Sequence, residues 1–131
     1  MIAINEIVGI LEPLNYNIVV DIREPIKVFP AIIIEAGKET VTETTGTGLP
    51  LRVNSEYEIT CLVKTTKKGY QTWLQELMVL KDGVIGTLKG WIQYQTERTI
   101  KIASIDYGGY GIDGVDVYGA VITIEIESLA L

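Results

Sequence analysis

VNSEYEITCLVKT, residues 53–65, alternates: Val53, Tyr57, Ile59, Cys61 and Val63 fall on one side, and Asn54, Glu56, Glu58, Thr60 and Lys64 on the other. Successive side chains of a strand point to opposite faces, so this is a strand with one dry and one wetted face. A sheet carrying such a strand needs a layer to cover its dry face.

Upstream, Gly37–Pro50 (GKETVTETTGTGLP) holds five Thr, three Gly and one Pro, with little to bury, and reads as a long loop or projecting hairpin. Before it, Val28-Phe29-Pro30-Ala31-Ile32-Ile33-Ile34 is continuously apolar and β-branched, as a strand covered on both faces would be. Pro30 suits the beginning of that strand and not its middle. Ile18 to Ile22 is a brief extended stretch. Ile4, Ile7, Val8 and Leu11, spaced i, i+3, i+4, i+7, predict a short helix that stops before Pro13.

Downstream, Tyr70, Trp73, Leu74 and Leu77 restore helical spacing. Thr66 is a candidate cap, Lys81 sits in the last turn and Gly83 occupies the place of a left-handed C-cap, so a second helix is predicted over 68–82. Val84, Ile85 and Leu88 form a short apolar stretch before Gly90. Trp91, Ile92 and Tyr94, then Ile100, Ile102 and Ile105, suggest one or two more strands. Val115–Glu127 is a long final strand with Ala120, Ile122, Ile124 and Ile126 on one face, and its length implies a central or long edge position. The predicted class is α+β: a mixed, mostly antiparallel sheet with two helices packed on one face and a long projecting loop or hairpin. The 131 residues make one domain, which buries roughly two-thirds of its unfolded surface.

Composition narrows the chemistry. At 47% hydrophobic and 21% charged the chain is no disordered tail, and no apolar run approaches the ~20 residues that span a bilayer. With no His and one Cys, His-dependent acid–base work, Cys/His nucleophile pairs and thiolate or imidazole zinc sites are excluded by counting. The opening Met1–Glu6 lacks the basic and long apolar regions of a secretory signal, and a lone Cys61 points to a reducing cytoplasm as the place of folding. Net charge is −6, of which −5 lies in residues 106–131 as Asp106, Asp113, Asp116, Glu125 and Glu127 with no Lys or Arg, so that segment disfavours nonspecific DNA binding.

Four local patterns have a bland reading that outweighs the chemical one. Gly109–Gly114 spells GxGxxG, but β-alternating Val115-Asp116-Val117 follows it where a phosphate-binding helix should open, so it reads as a glycine-rich hairpin connection. Glu125 and Glu127, two apart on a strand, point the same way and suit a solvated face better than a catalytic pair. Cys61 sits on the apolar side, where burial blunts a thiol. Tyr57, Tyr70 and Trp73 could stack on single-stranded nucleic acid only in a basic groove, and Lys64, Lys67 and Lys68 supply one small patch. No catalytic residue, metal ligand or cofactor is expected.

The order of features is more informative than any motif: a short helix, Ile18-Val19-Val20, Phe29-Pro30-Ala31-Ile32-Ile33-Ile34, a long Thr/Gly loop, Tyr57-Glu58-Ile59-Thr60, a helix through Trp73 to Leu80 and a C-terminal strand. This layout resembles the tail terminator proteins of long-tailed bacteriophages over nearly the whole chain, through no invariant motif. The resemblance implies a structural virion protein at the head-proximal end of the tail, made in the host cytoplasm. Its subunits, commonly six, would form a ring that caps the tail-tube protein, stops polymerisation and meets the head connector. DNA would pass through without specific binding, and no membrane would be involved. Lys38, Thr42, Thr45 and Thr47 are the expected inter-subunit loop residues, and Asp113, Asp116, Glu125 and Glu127 the expected lumen-facing acids. A related head–tail completion or neck protein would share the layout; a stand-alone protein-binding module and a small enzyme using Asp, Glu, Lys and Tyr are the other classes.

Overall fold

The computed structural model describes residues 2–20, 25–42, 51–66, 69–112 and 114–130. Two helices, α1 (Ile2–Leu11) and α2 (Tyr70–Gln93), accompany five strands: β1 (Asn17–Val20), β2 (Ala31–Thr42), β3 (Leu51–Lys64), β4 (Thr99–Ile112) and β5 (Val115–Ala130). The strand order is β1-β2-β3-β5-β4, with β1 parallel to β2 and every other pair antiparallel. This is the α+β architecture with a mixed, mostly antiparallel sheet that the alternation predicts.

Both helices pack on one face. Ile7 and Leu11 of α1 and Leu77, Leu80, Val84 and Leu88 of α2 are buried against Ile32, Ile34, Tyr57, Ile59, Cys61, Val63, Ala120, Ile122 and Ile124. Each buried Ile, Leu or Val contributes about 1.5–3 kcal/mol through lost water contact, so this layer carries most of the stability. Because β5 lies between β3 and β4, its even-numbered side chains from Tyr118 to Ile126 meet the helical layer; of the two positions its length allows, the central one is realised. The opposite face is dry at one end only, where Ile26, Ala31, Ile33, Leu62 and Val117 cluster. Ala31–Ile34 are consequently buried on both sides, as their unbroken apolar run implies. Elsewhere this face is mainly polar, with Val121 and Tyr110 as its apolar exceptions.

Several expectations are corrected. The second helix continues to Gln93, so Gly83 is helix interior and Trp91 and Ile92 belong to α2. Leu77, Leu80, Val84 and Leu88 keep helical spacing across the glycine, and burial outweighs the ~1 kcal/mol that one internal Gly costs. The N-cap is Gly69, not Thr66, and makes no side-chain cap bond. Of the one or two strands expected between this helix and the final strand, one is present, β4. Pro30 immediately precedes β2, which starts at Ala31. Of the two readings of Gly37–Pro50, residues 37–42 are strand, so the hairpin is the one supported; residues 43–50, with Thr45 and Thr47, lie outside the described residues, as do Asp21 and Ile22.

Candidate assembly surface

Among the described residues β1 pairs with Ala31–Ile34 and no strand flanks β2 from Glu35 onward, so there β2 is the outer strand. Residues 35–41 are all exposed, while their inner side pairs with β3, with a register shift between Ala36 and Glu39 that leaves Gly37 and Lys38 without a partner in the β3 ladder. Lys38 is thus exposed at a bulge, and Thr42 ends the strand opposite Arg52. The result is a long arm that extends the sheet past its helical cover, carrying Val41 at 55% exposure.

On the wetted face, neighbouring strands bring carboxylates together. Glu35 lies opposite Glu58, and Glu56 opposite Glu125, in the sheet register. Two bases offset them: Lys101 Nζ is 3.0 Å from Glu125 Oε2, and Arg52 donates to Glu127 Oε1 at 3.4 Å. Glu125 and Glu127 therefore share one face, as the alternation implies, but each is paired. Asp116 has an exposed side chain while its carbonyl accepts bonds from the Thr65 amide and hydroxyl, both 3.1 Å. Asp113, Lys67 and Lys68 lie outside the described residues.

The remaining sequence patterns settle into structural roles. Gly109–Ile112 are the end of β4, the hairpin closes at Gly114 with φ +77°, and strand rather than helix follows. Burial pushes the Cys61 thiol up to about 12, against a weaker pull from Lys81, so no thiolate is present near neutrality. Tyr57 is buried in the core, away from any platform. Trp73 packs edge-on against Tyr70 at 5.0 Å and tilted against Tyr118 at 4.8 Å, and it borders a shallow groove of about 470 Å³ with Tyr110, Asp116 and the backbone of Gly109 and Gly111. Among the described residues no three His, Cys, Asp or Glu side chains are grouped to hold a metal ion, and no helix is long and apolar enough to cross a membrane.

Of two further ion pairs, the first carries no local sequence signal. Arg98 forks onto Glu6, with Nη1–Oε1 3.0 Å and Nη2–Oε2 2.6 Å, bonds Gln95 Oε1 and lies over the Trp91 ring at 5.8 Å. The Arg98 hydrogen bond holds the Glu6 carboxyl below its usual range. Lys81, half-buried, bonds Asp82 Oδ1 at 2.6 Å, which raises its pKa, with Tyr107 pulling in the same direction. Ninety-two residues separate Glu6 from Arg98, so only folding identifies them as partners. Among known proteins, no family model matches the chain and no curated protein is significantly similar to it.

Proposed function

We propose that this chain is a structural subunit of a ring, six subunits around, that caps the tail tube of a long-tailed bacteriophage and offers the surface that joins the head connector. The supporting observation is the outer strand 35–42, exposed over residues 35–41, an arm paired with β3 on its inner side and with no strand on its outer edge among the described residues. Unpaired strand edges are templates for association, and a head-to-tail contact between two different surfaces closes into a ring. Glu125 and Glu127 would face the channel in this reading, where carboxylates repel passing DNA; Asp116 is even-numbered on β5 and borders Trp73 on the helix side, so it would not join them. A head–tail completion protein is the runner-up.

The test mixes the purified chain with the tail-tube protein encoded beside it and images the products by electron microscopy. Capped tubes of limited length are expected. Unlimited tube growth at saturating protein would refute the proposal, and a ring bound to the head connector but never to tubes would favour the runner-up.

A further inference from the structure

β4 is the outer strand on the other side of the sheet, fourteen residues long, and among the described residues no strand pairs with its outer edge. Residues 103–107 are all exposed, including Ile105 at 36% and Tyr107 at 46%. Natural edge strands are blunted by prolines, lysines or bulges; Thr99–Ile112 has no proline and only Lys101, and its bulge at Ala103 falls where an antiparallel pair of two β4 strands would be centred.

The pattern along β4 is self-complementary. A register shift between Ile102 and Ser104 makes Ala103 an extra residue, so Ile100 and Ile102 face the helices before the bulge, and Ile105 and Tyr107 face them after it. In an antiparallel pair of two β4 strands centred between Ala103 and Ser104, Ile102 meets Ile105 and Ile100 meets Tyr107 on the helix side. Lys101 meets Asp106 on the wetted side, and symmetry makes every one of these contacts twice. Directly opposed side chains of antiparallel strands sit about 4.5–5.5 Å apart at Cβ, close enough for ion pairs and apolar contact. Sliding either copy by one residue sets Lys101 against Ile105 or Tyr107, across opposite faces, and centring the pair on Asp106 opposes two aspartates. Lys101 has reach for this contact: it is 68% exposed while still 3.0 Å from Glu125.

We infer that the β4 edge binds the β4 edge of a second copy of this chain, joining two five-stranded sheets into one ten-stranded sheet with all helices on one side. Such a two-fold contact closes on itself and adds no further subunit through β4. The pairing rests on β4 alone and not on the ring reading, in which it would be the form that shields the edge before assembly.

Sedimentation across a concentration series should show a reversible dimer of the parent chain. Lys101→Glu and Asp106→Lys chains, each folded by circular dichroism, should each dimerise at least about tenfold more weakly, because every such homodimer opposes like charges twice. Mixed in equal amounts, the two variants should form a heterodimer, since each substituted side chain then meets its opposite. A parent chain that stays monomeric throughout, or a dimer that neither substitution weakens, would overturn the inference. So would two weakened variants whose mixture stays monomeric. Tube capping is read separately, so failure there leaves this result standing.

Discussion

Arg98 holds three segments at once: α1 through Glu6, the end of α2 through Trp91 and Gln95, and the approach to β4. Arg98→Ala should cost about 1–2 kcal/mol near neutral pH, since charge-assisted bonds are worth more than neutral ones and this pair is partly screened. Glu6 titrates lower in the folded state than unfolded, so its contribution is present above the unfolded carboxyl pKa and fades as pH falls through the folded value. Urea midpoints of parent and variant should differ near neutrality and draw together as pH falls through the folded Glu6 value, which lies below the ordinary carboxyl range. A gap that persists in acid would locate the loss in packing on Trp91. Gly119 faces a different constraint: a Cβ there would stand 2.7 Å from Leu62 Cδ2 and 3.0 Å from the Cys61 carbonyl oxygen. The Leu62 methyl can swing aside, but strand backbone cannot, so Gly119→Ala should lower stability by about 1–3 kcal/mol, measured by thermal melting.

Among the elements, α2 shows how local preference yields to periodicity. Gly83, Gly86 and Gly90 weaken it, yet its buried stripe runs from Leu77 to Leu88 without a break. Gly86 is exposed, with nothing within 4 Å of the position a Cβ would take. Gly86→Ala should therefore stabilise the protein by about 0.5–1 kcal/mol through lost unfolded-state freedom and better helix propensity; an unchanged or lower melting temperature would show that the helix needs local give there. The same stripe was legible in the spacing of Trp73, Leu77, Leu80, Val84, Leu88 and Trp91, and Gly83 obscured it because a glycine after a basic last turn also matches a helix end. β2 shows the converse. Polar Glu35–Thr42 resembles a loop by composition, but pairing with β3 satisfies the inward half of its backbone groups, and water can satisfy the rest, without any side chain to bury.

For the whole molecule, the wetted face sets the electrostatics. Lys101 and Arg52 already offset Glu125 and Glu127; the Arg52–Glu127 pair is largely solvated, whereas Glu125 is only 22% exposed beside Lys101, so replacing the two acids together by Lys should cost about 1–2 kcal/mol, less than would unfold the domain. Glu56, directly opposite Glu125, would gain an attractive partner in exchange. If this face lines the channel of the proposed ring, particles carrying Glu125→Lys with Glu127→Lys should eject DNA more slowly at low salt and recover when salt is added, through counterion release. Ejection at the parent rate in low salt would place these acids elsewhere.

The amino-acid sequence by itself determined the fold class, the inward faces of α1, β3 and β5 and the doubly covered start of β2, because periodicity and β-branching act within a few residues of chain. The strand order, the insertion of β5 between β3 and β4, the arm beyond Ile34, the Glu6–Arg98 clamp and the pairing of Lys101 with Glu125 were decided only by tertiary structure. Each depends on segments far apart in the chain being brought together, and no local pattern encodes which of the possible neighbours buries the shared apolar layer best.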